Sequence, residues 1–200
     1  MLLISLIAAS AAAYEHPLDS TAIRNAYFLG SSNSESVNFL SKYKETLPRP
    51  KTGPDIAEME VRTPFAQVVV SSREHSVGYS PMQAEQDYRK DPDTLQVRIQ
   101  ILYPAPSPLL PPVSCQGVNR MISVQDCFRD FRFRFRQSKD DLQPIRSYGV
   151  PIYSGDGDRN GGDVWFTFRA AEVASGPLRV TVSTPEGQEV SATFDLAALR

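Results

Sequence analysis

Asp156-Gly157-Asp158-Arg159-Asn160-Gly161-Gly162-Asp163 sets side-chain oxygens at alternate positions ahead of a glycine. An EF-hand calcium loop opens this way, with oxygens at its first, third and fifth positions and a glycine at the sixth for the sharp turn. Asp156, Asp158, Asn160 and Gly161 take those places. The pattern then departs, with Asp163 at the usually aliphatic eighth position and Thr167 where a bidentate glutamate belongs. Asp163 is the extra carboxylate that would complete a shell, so Asp156, Asp158, Asn160 and Asp163 are the candidate Ca2+ ligands. The competing reading is a solvated turn, because Asp, Asn and Gly form turns without any ion.

A second pattern is cationic. Phe131, Phe133 and Phe135 alternate with Arg132, Arg134 and Arg136, which predicts a strand with one aromatic and one guanidinium face. Arg132, Arg134 and Arg136 are candidate ligands for an anion such as a phosphate or an acidic polysaccharide. Otherwise they face acids on neighbouring strands. The chain holds two cysteines, Cys115 and Cys127. In an oxidising compartment they are expected to form a disulfide, contributing about 3 kcal/mol in the chain-entropy model. Zinc is the weaker alternative, since no His or third Cys lies nearby.

Catalytic material is thin. The histidines are His16 and His75 alone, and Glu74-His75-Ser76 points adjacent side chains to opposite faces of a strand. No phosphate-cradling glycine loop or nucleophile elbow is present, and no carboxylate pair stands out for glycoside hydrolysis. No catalytic residue is therefore assigned. Trp165, beside Phe166 and Phe168, is either a sugar-stacking ring or a core residue.

These residues must be positioned by short elements. The 200 residues carry 16 prolines, clustered around Pro48–Pro54 and Pro104–Pro112, which favours many short elements over long helices. A net charge of -2 lacks the basic excess of a nucleic-acid binder. Residues 1–13, MLLISLIAASAAA, read as a signal peptide with cleavage before Tyr14. The run is too short to span a membrane, and it lacks a Lys or Arg ahead of the apolar stretch.

Residues 14–47 are predicted to form a helical hairpin. Asp19 or Ser20 starts its first helix and Gly30 stops it, and the second buries Val37, Leu40, Tyr43 and Leu47. Residues 48–55 form a Pro-rich linker, and 56–200 a β-sandwich domain. Met59 and Val61 mark one strand, and Ala66–Ser71, with Val68, Val69 and Val70, the next. Ser80-Pro81-Met82-Gln83 opens a short helix. Leu95, Val97, Ile99 and Ile101 alternate with polar residues along another strand. Ile145–Tyr153 is expected at an edge because of its prolines. Leu178–Val182 and Val190–Phe194 form a hairpin turned by Pro185-Glu186-Gly187. The fold class expected is mainly β, an immunoglobulin-like β-sandwich preceded by a short helical hairpin.

The runs STAIRNAYFLG, LPRPKTGP and EVRTPFAQVVV resemble an uncharacterised family of exported acidobacterial proteins. That resemblance implies export and no activity, cofactor or catalytic residue. The sequence therefore leads to an exported, non-catalytic envelope or secreted interaction module, with a protein or glycan partner. A calcium-stabilised carbohydrate or small-ligand binder is the second reading, and a hydrolase using an acid pair the third.

Overall fold

The computed structural model describes residues 14–75, 78–91, 93–103, 121–153, 155 and 159–200. The expected signal peptide, the Pro104–Pro112 run, Cys115, Asp156 and Asp158 lie outside the described residues. The described residues are mainly β, with two antiparallel sheets, four helices and one further helical turn. Among the described residues, no helix is long and apolar enough to cross a membrane.

Asp19 caps the first helix, α1 (Ser20–Ser31), by accepting the Ala22 N–H at 2.6 Å. The second, α2 (Asn33–Ser41), is short. It buries Leu40, and Tyr43 beyond it, but Val37 stays 49% exposed. The chain then enters β1 (Lys44–Thr46), so the last residues of the expected hairpin are a strand. The Tyr43 hydroxyl donates to the Arg200 carbonyl at 2.8 Å, and burial pushes it up to about 12.

After β2 (Asp55–Arg62) comes α3 (Pro64–Glu74), where Val68–Val70 had suggested a strand. The β-branched run is overruled from both sides. Thr63 accepts the Ala66 N–H at 3.2 Å and Pro64 occupies the first turn, a helix start identical in kind to Ser80-Pro81. Val68 and Val69 then find a buried surface on neighbouring helices rather than on a sheet. The helix α4 (Pro81–Tyr88) begins as expected, with Ser80 accepting the Gln83 N–H at 3.2 Å.

Gly30 does not stop α1, which runs on to Ser31. Its role is close packing, since a Cβ there would lie 2.4 Å from the Val69 carbonyl oxygen and 2.7 Å from the Ser72 Cβ. Gly30→Ala must push α1 away from α3, and the expected loss is about 1–3 kcal/mol in a urea-unfolding experiment. An unchanged midpoint would show that the two helices do not meet at this glycine.

The remaining elements are β3 (Thr94–Leu102), the helical turn α5 (Val124–Cys127), β4 (Arg132–Gln137), β5 (Asp140–Asp141), β6 (Arg146–Tyr153), β7 (Arg159–Arg169), β8 (Pro177–Ser183) and β9 (Glu189–Asp195). One sheet has the order β1-β2-β3-β7-β6 and the other β5-β4-β8-β9. Each strand's alternation divides core from solvent. Met59, Val61, Val97, Ile99, Val164, Phe166 and Phe168 form the inner face of the first sheet. Phe135, Leu178, Val180, Val182 and Phe194 form that of the second. Rings join them: Phe135 lies 4.8 Å from Phe166 and 4.9 Å from Phe168, and Phe133 lies 4.9 Å from Phe166.

The β8–β9 hairpin closes as its sequence indicates, with the Gly187 N–H donating to Thr184 at 3.0 Å and Gly187 at φ 82°. β6 is an edge strand carrying Pro151. At Gly149 its outer side exchanges two 2.8 Å backbone hydrogen bonds with Ile122.

Candidate functional site

The outer face of the five-stranded sheet collects polar residues that are remote in sequence. Strand register lines up Lys44, Glu60, Arg98, Trp165 and Tyr148 in one row across all five strands. Glu60 is only 1% exposed, yet three cations reach it: Arg62 at 2.7 Å, Arg98 at 2.8 Å and Lys44 at 3.7 Å. Arg98, 12% exposed, forks further to Asp163 at 3.1 Å and to Glu58. Burial acts to raise the Glu60 carboxyl, but the hydrogen bond from Arg62 and the charges of Arg62, Arg98 and Lys44 outweigh it and hold the group below its ordinary value. A carboxyl fixed as an ion is a poor general acid, and the ion pairs that hold it tie β1, β2, β3 and β7 together.

The same face carries a ladder of flat groups. The Arg62 guanidinium lies 4.6 Å from the Trp165 ring centre, Trp165 lies within 10° of parallel to Tyr148, and Arg146 sits 5.2 Å over Tyr148. Arg62 and Arg98 approach Trp165 from the β3 side and Tyr148 from the β6 side. Trp165 is half-buried on this outer face and does not join Phe166 and Phe168 in the core.

On the outer face of the four-stranded sheet, Arg132, Arg134 and Arg136 are exposed as the alternation predicts. Their neighbours on β8 are Ser183, Thr181 and Arg179 rather than acids. Arg179, also exposed, extends the cationic stripe to a second strand, and Ser191 and Thr193 lie beyond it on β9. Three acids share the face: Asp141 at the edge, 2.9 Å from Arg136, and the exposed Glu189 and Asp195 at the two ends of β9, opposite Ser183 and Pro177. Among the described residues no acid pairs with Arg132, Arg134 or Arg179. Sequence reasoning missed Arg179 because only strand register brings it beside Arg136.

Two of the candidate calcium ligands are among the described residues. Asn160 and Asp163 both lie in β7, so the Asp156–Asp163 run is strand from Arg159 onward rather than one turn. Asp163 faces Arg98, whereas Asn160 lies where β6 and β7 shift register, between the pairs Ile152–Gly161 and Tyr153–Arg159. The Asn160 side-chain oxygen is buried without a hydrogen-bond partner among the described residues. Asp156 and Asp158 lie outside the described residues, as does Cys115. Cys127 is buried at the end of α5. His75 closes α3, stacked 4.4 Å from Tyr79 with its Nδ1 2.7 Å from the Ser71 carbonyl, and His16 packs 5.1 Å from Tyr14.

No protein-family model matches the chain, and none of the curated proteins is significantly similar to it.

Proposed function

We propose that the chain is an exported, non-catalytic interaction module, an immunoglobulin-like sandwich that engages an acidic polysaccharide through the outer face of β4, β8 and β9. The observation that carries this reading is the Arg136–Arg179 cross-strand pair, flanked by Arg134 and Arg132, in which Asp141 balances Arg136 alone and no acid pairs with the other three among the described residues. Like charges directly opposite on a sheet are destabilising, and a polyanion laid across the face relieves that repulsion. Successive arginines on β4 are about 6.8 Å apart along the strand, and Arg179 is about 5 Å across it. Regular spacing on a flat surface suits repeated carboxylates or sulfates better than one compact anion. The hydroxyls of Thr181, Ser183, Ser191 and Thr193 add partners for a sugar's own hydroxyls. The sandwich reading is supported by the aromatic rings that cross between two antiparallel sheets, and export by the apolar run at residues 1–13.

The test is binding to an immobilised acidic polysaccharide, with a neutral glucan as control, over a salt series. Exposed charge contacts contribute up to about 1 kcal/mol each, so Arg134→Ala with Arg179→Ala is expected to weaken binding by about 25-fold, with a shallower salt dependence. Equal retention on the neutral glucan, or binding unaffected by the double substitution, removes this face from the function.

A further inference from the structure

A groove of about 580 Å³ runs between α3, the α4–β3 connection and the outer face of the five-stranded sheet. That size is within the range of small-molecule sites. It lies on the other sheet from the arginine stripe, so its role is independent of the polysaccharide reading. Its helical wall is acidic and its sheet wall is basic.

Several of those charges already have partners. Asp87 holds Lys90 at 2.6 Å and Gln83 at 3.0 Å, Asp93 accepts the Tyr88 hydroxyl, and Arg62 is bound to Glu60. Three make neither an ion pair nor a side-chain hydrogen bond among the described residues. Glu74, at the end of α3, and Asp91, after α4, stand on the acidic wall. Arg146, at the start of β6, stands on the basic wall, its guanidinium already oriented by the Tyr148 ring. Between the walls, Gln96 and Thr167 are cross-strand neighbours on the sheet. The Gln96 amide presents one donor group and one acceptor, which matches a peptide unit.

We propose that this groove binds a zwitterionic ligand of the short-peptide class. The ligand's ammonium group lies against Glu74 and Asp91, its carboxylate pairs with Arg146, and an amide rests on Gln96. A ligand with only one charge satisfies one wall and leaves the other unpaired. Arg146 is suited to the carboxylate end because a planar guanidinium can take both oxygens at once.

The experiment is calorimetric titration of the full chain with di-, tri- and tetraglycine, each also as its N-acetyl and C-amide derivative. One free oligomer is expected to bind, and blocking either end to weaken it by about tenfold or more, as loss of a charge-assisted hydrogen bond does. Arg146→Gln should erase the penalty for amidation while keeping that for acetylation, and Asp91→Asn with Glu74→Gln should do the reverse. All three side chains are exposed, so circular dichroism can confirm that each variant folds. No binding of any free oligomer at millimolar concentration overturns the proposal. So does equal binding of free and blocked forms, and so does a penalty from amidation alone, which would make the groove a simple carboxylate site.

Discussion

Arg98→Ala is expected to cost about 3–5 kcal/mol of stability, the range for breaking a buried ion pair from one side. The reason is the number of charges that depend on this guanidinium. Glu58, Glu60 and Asp163 all bind it, and with it gone they share only Lys44 and Arg62. Asp163 has no other ion-pair partner among the described residues. The pH dependence gives the result a sign as well as a size. In the intact protein Glu60 is held below its reference value of 4.5. Its contribution is therefore complete above pH 4.5 and lost as pH falls through the lower folded-state value. In the variant the Arg62 hydrogen bond and the charges of Arg62 and Lys44 remain but that of Arg98 is gone, so the carboxyl is held down less and its ionised form contributes less. The stability gap between the two proteins should thus be widest near pH 7 and should narrow towards pH 4. Guanidinium unfolding at several pH values measures it. A gap under about 1 kcal/mol, or one that widens in acid, contradicts the network as described. Arg98→Lys should recover part of the loss, because an ammonium restores the charge but not the fork.

Phe135→Ala is expected to cost a similar amount, about 3–5 kcal/mol, typical for deleting a buried aromatic ring. Phe135 is 2% exposed and touches rings on both Phe166 and Phe168 of the opposite sheet. The cavity left behind would be shared by both sheets, and neither can close it without moving the other. Phe133→Ala should cost less, since that ring is only half-buried and meets Phe166 alone across the sheets. Equal and small losses at the two positions would mean that the sheets do not share one core.

Those two positions also show which parts of the molecule were legible in the amino-acid order. Phe135 and the alternation of Leu95, Val97, Ile99 and Ile101 were readable because each strand has one dry face and one wet one, so period two survives in the sequence. The turn at Pro185-Glu186-Gly187 was readable because its backbone angles demand those residues. Val68–Val70 misled because β-branching is a weak local preference that packing against neighbouring helices overrules. The better evidence there was Thr63-Pro64, a cap and first-turn proline of the kind recognised at Ser80-Pro81. The partners within the ionic row could not be read. Glu60, Arg98 and Asp163 are more than thirty residues apart in sequence, at 38 and 65 positions from one another. Register across three strands, which the sequence does not state, brings them together. A trace was nevertheless present, since Glu58, Glu60 and Arg62 on β2 and Arg98 on β3 occupy the wet positions of their strands.

The unequal edges of the two sheets decide where one copy of this protein would adhere to another at high concentration. A free strand edge invites pairing with a foreign strand. The five-stranded sheet ends on one side in β1, three residues long. On the other it ends in β6, which Ile122 covers at Gly149 and where Pro151 lacks an N–H. In the other sheet β5 is two residues long. Only β9 offers a seven-residue edge with no proline and no strand beside it among the described residues. Of the described edges, β9 is therefore where a foreign strand is expected to pair first, and a proline or lysine placed along it is expected to lower self-association at high concentration.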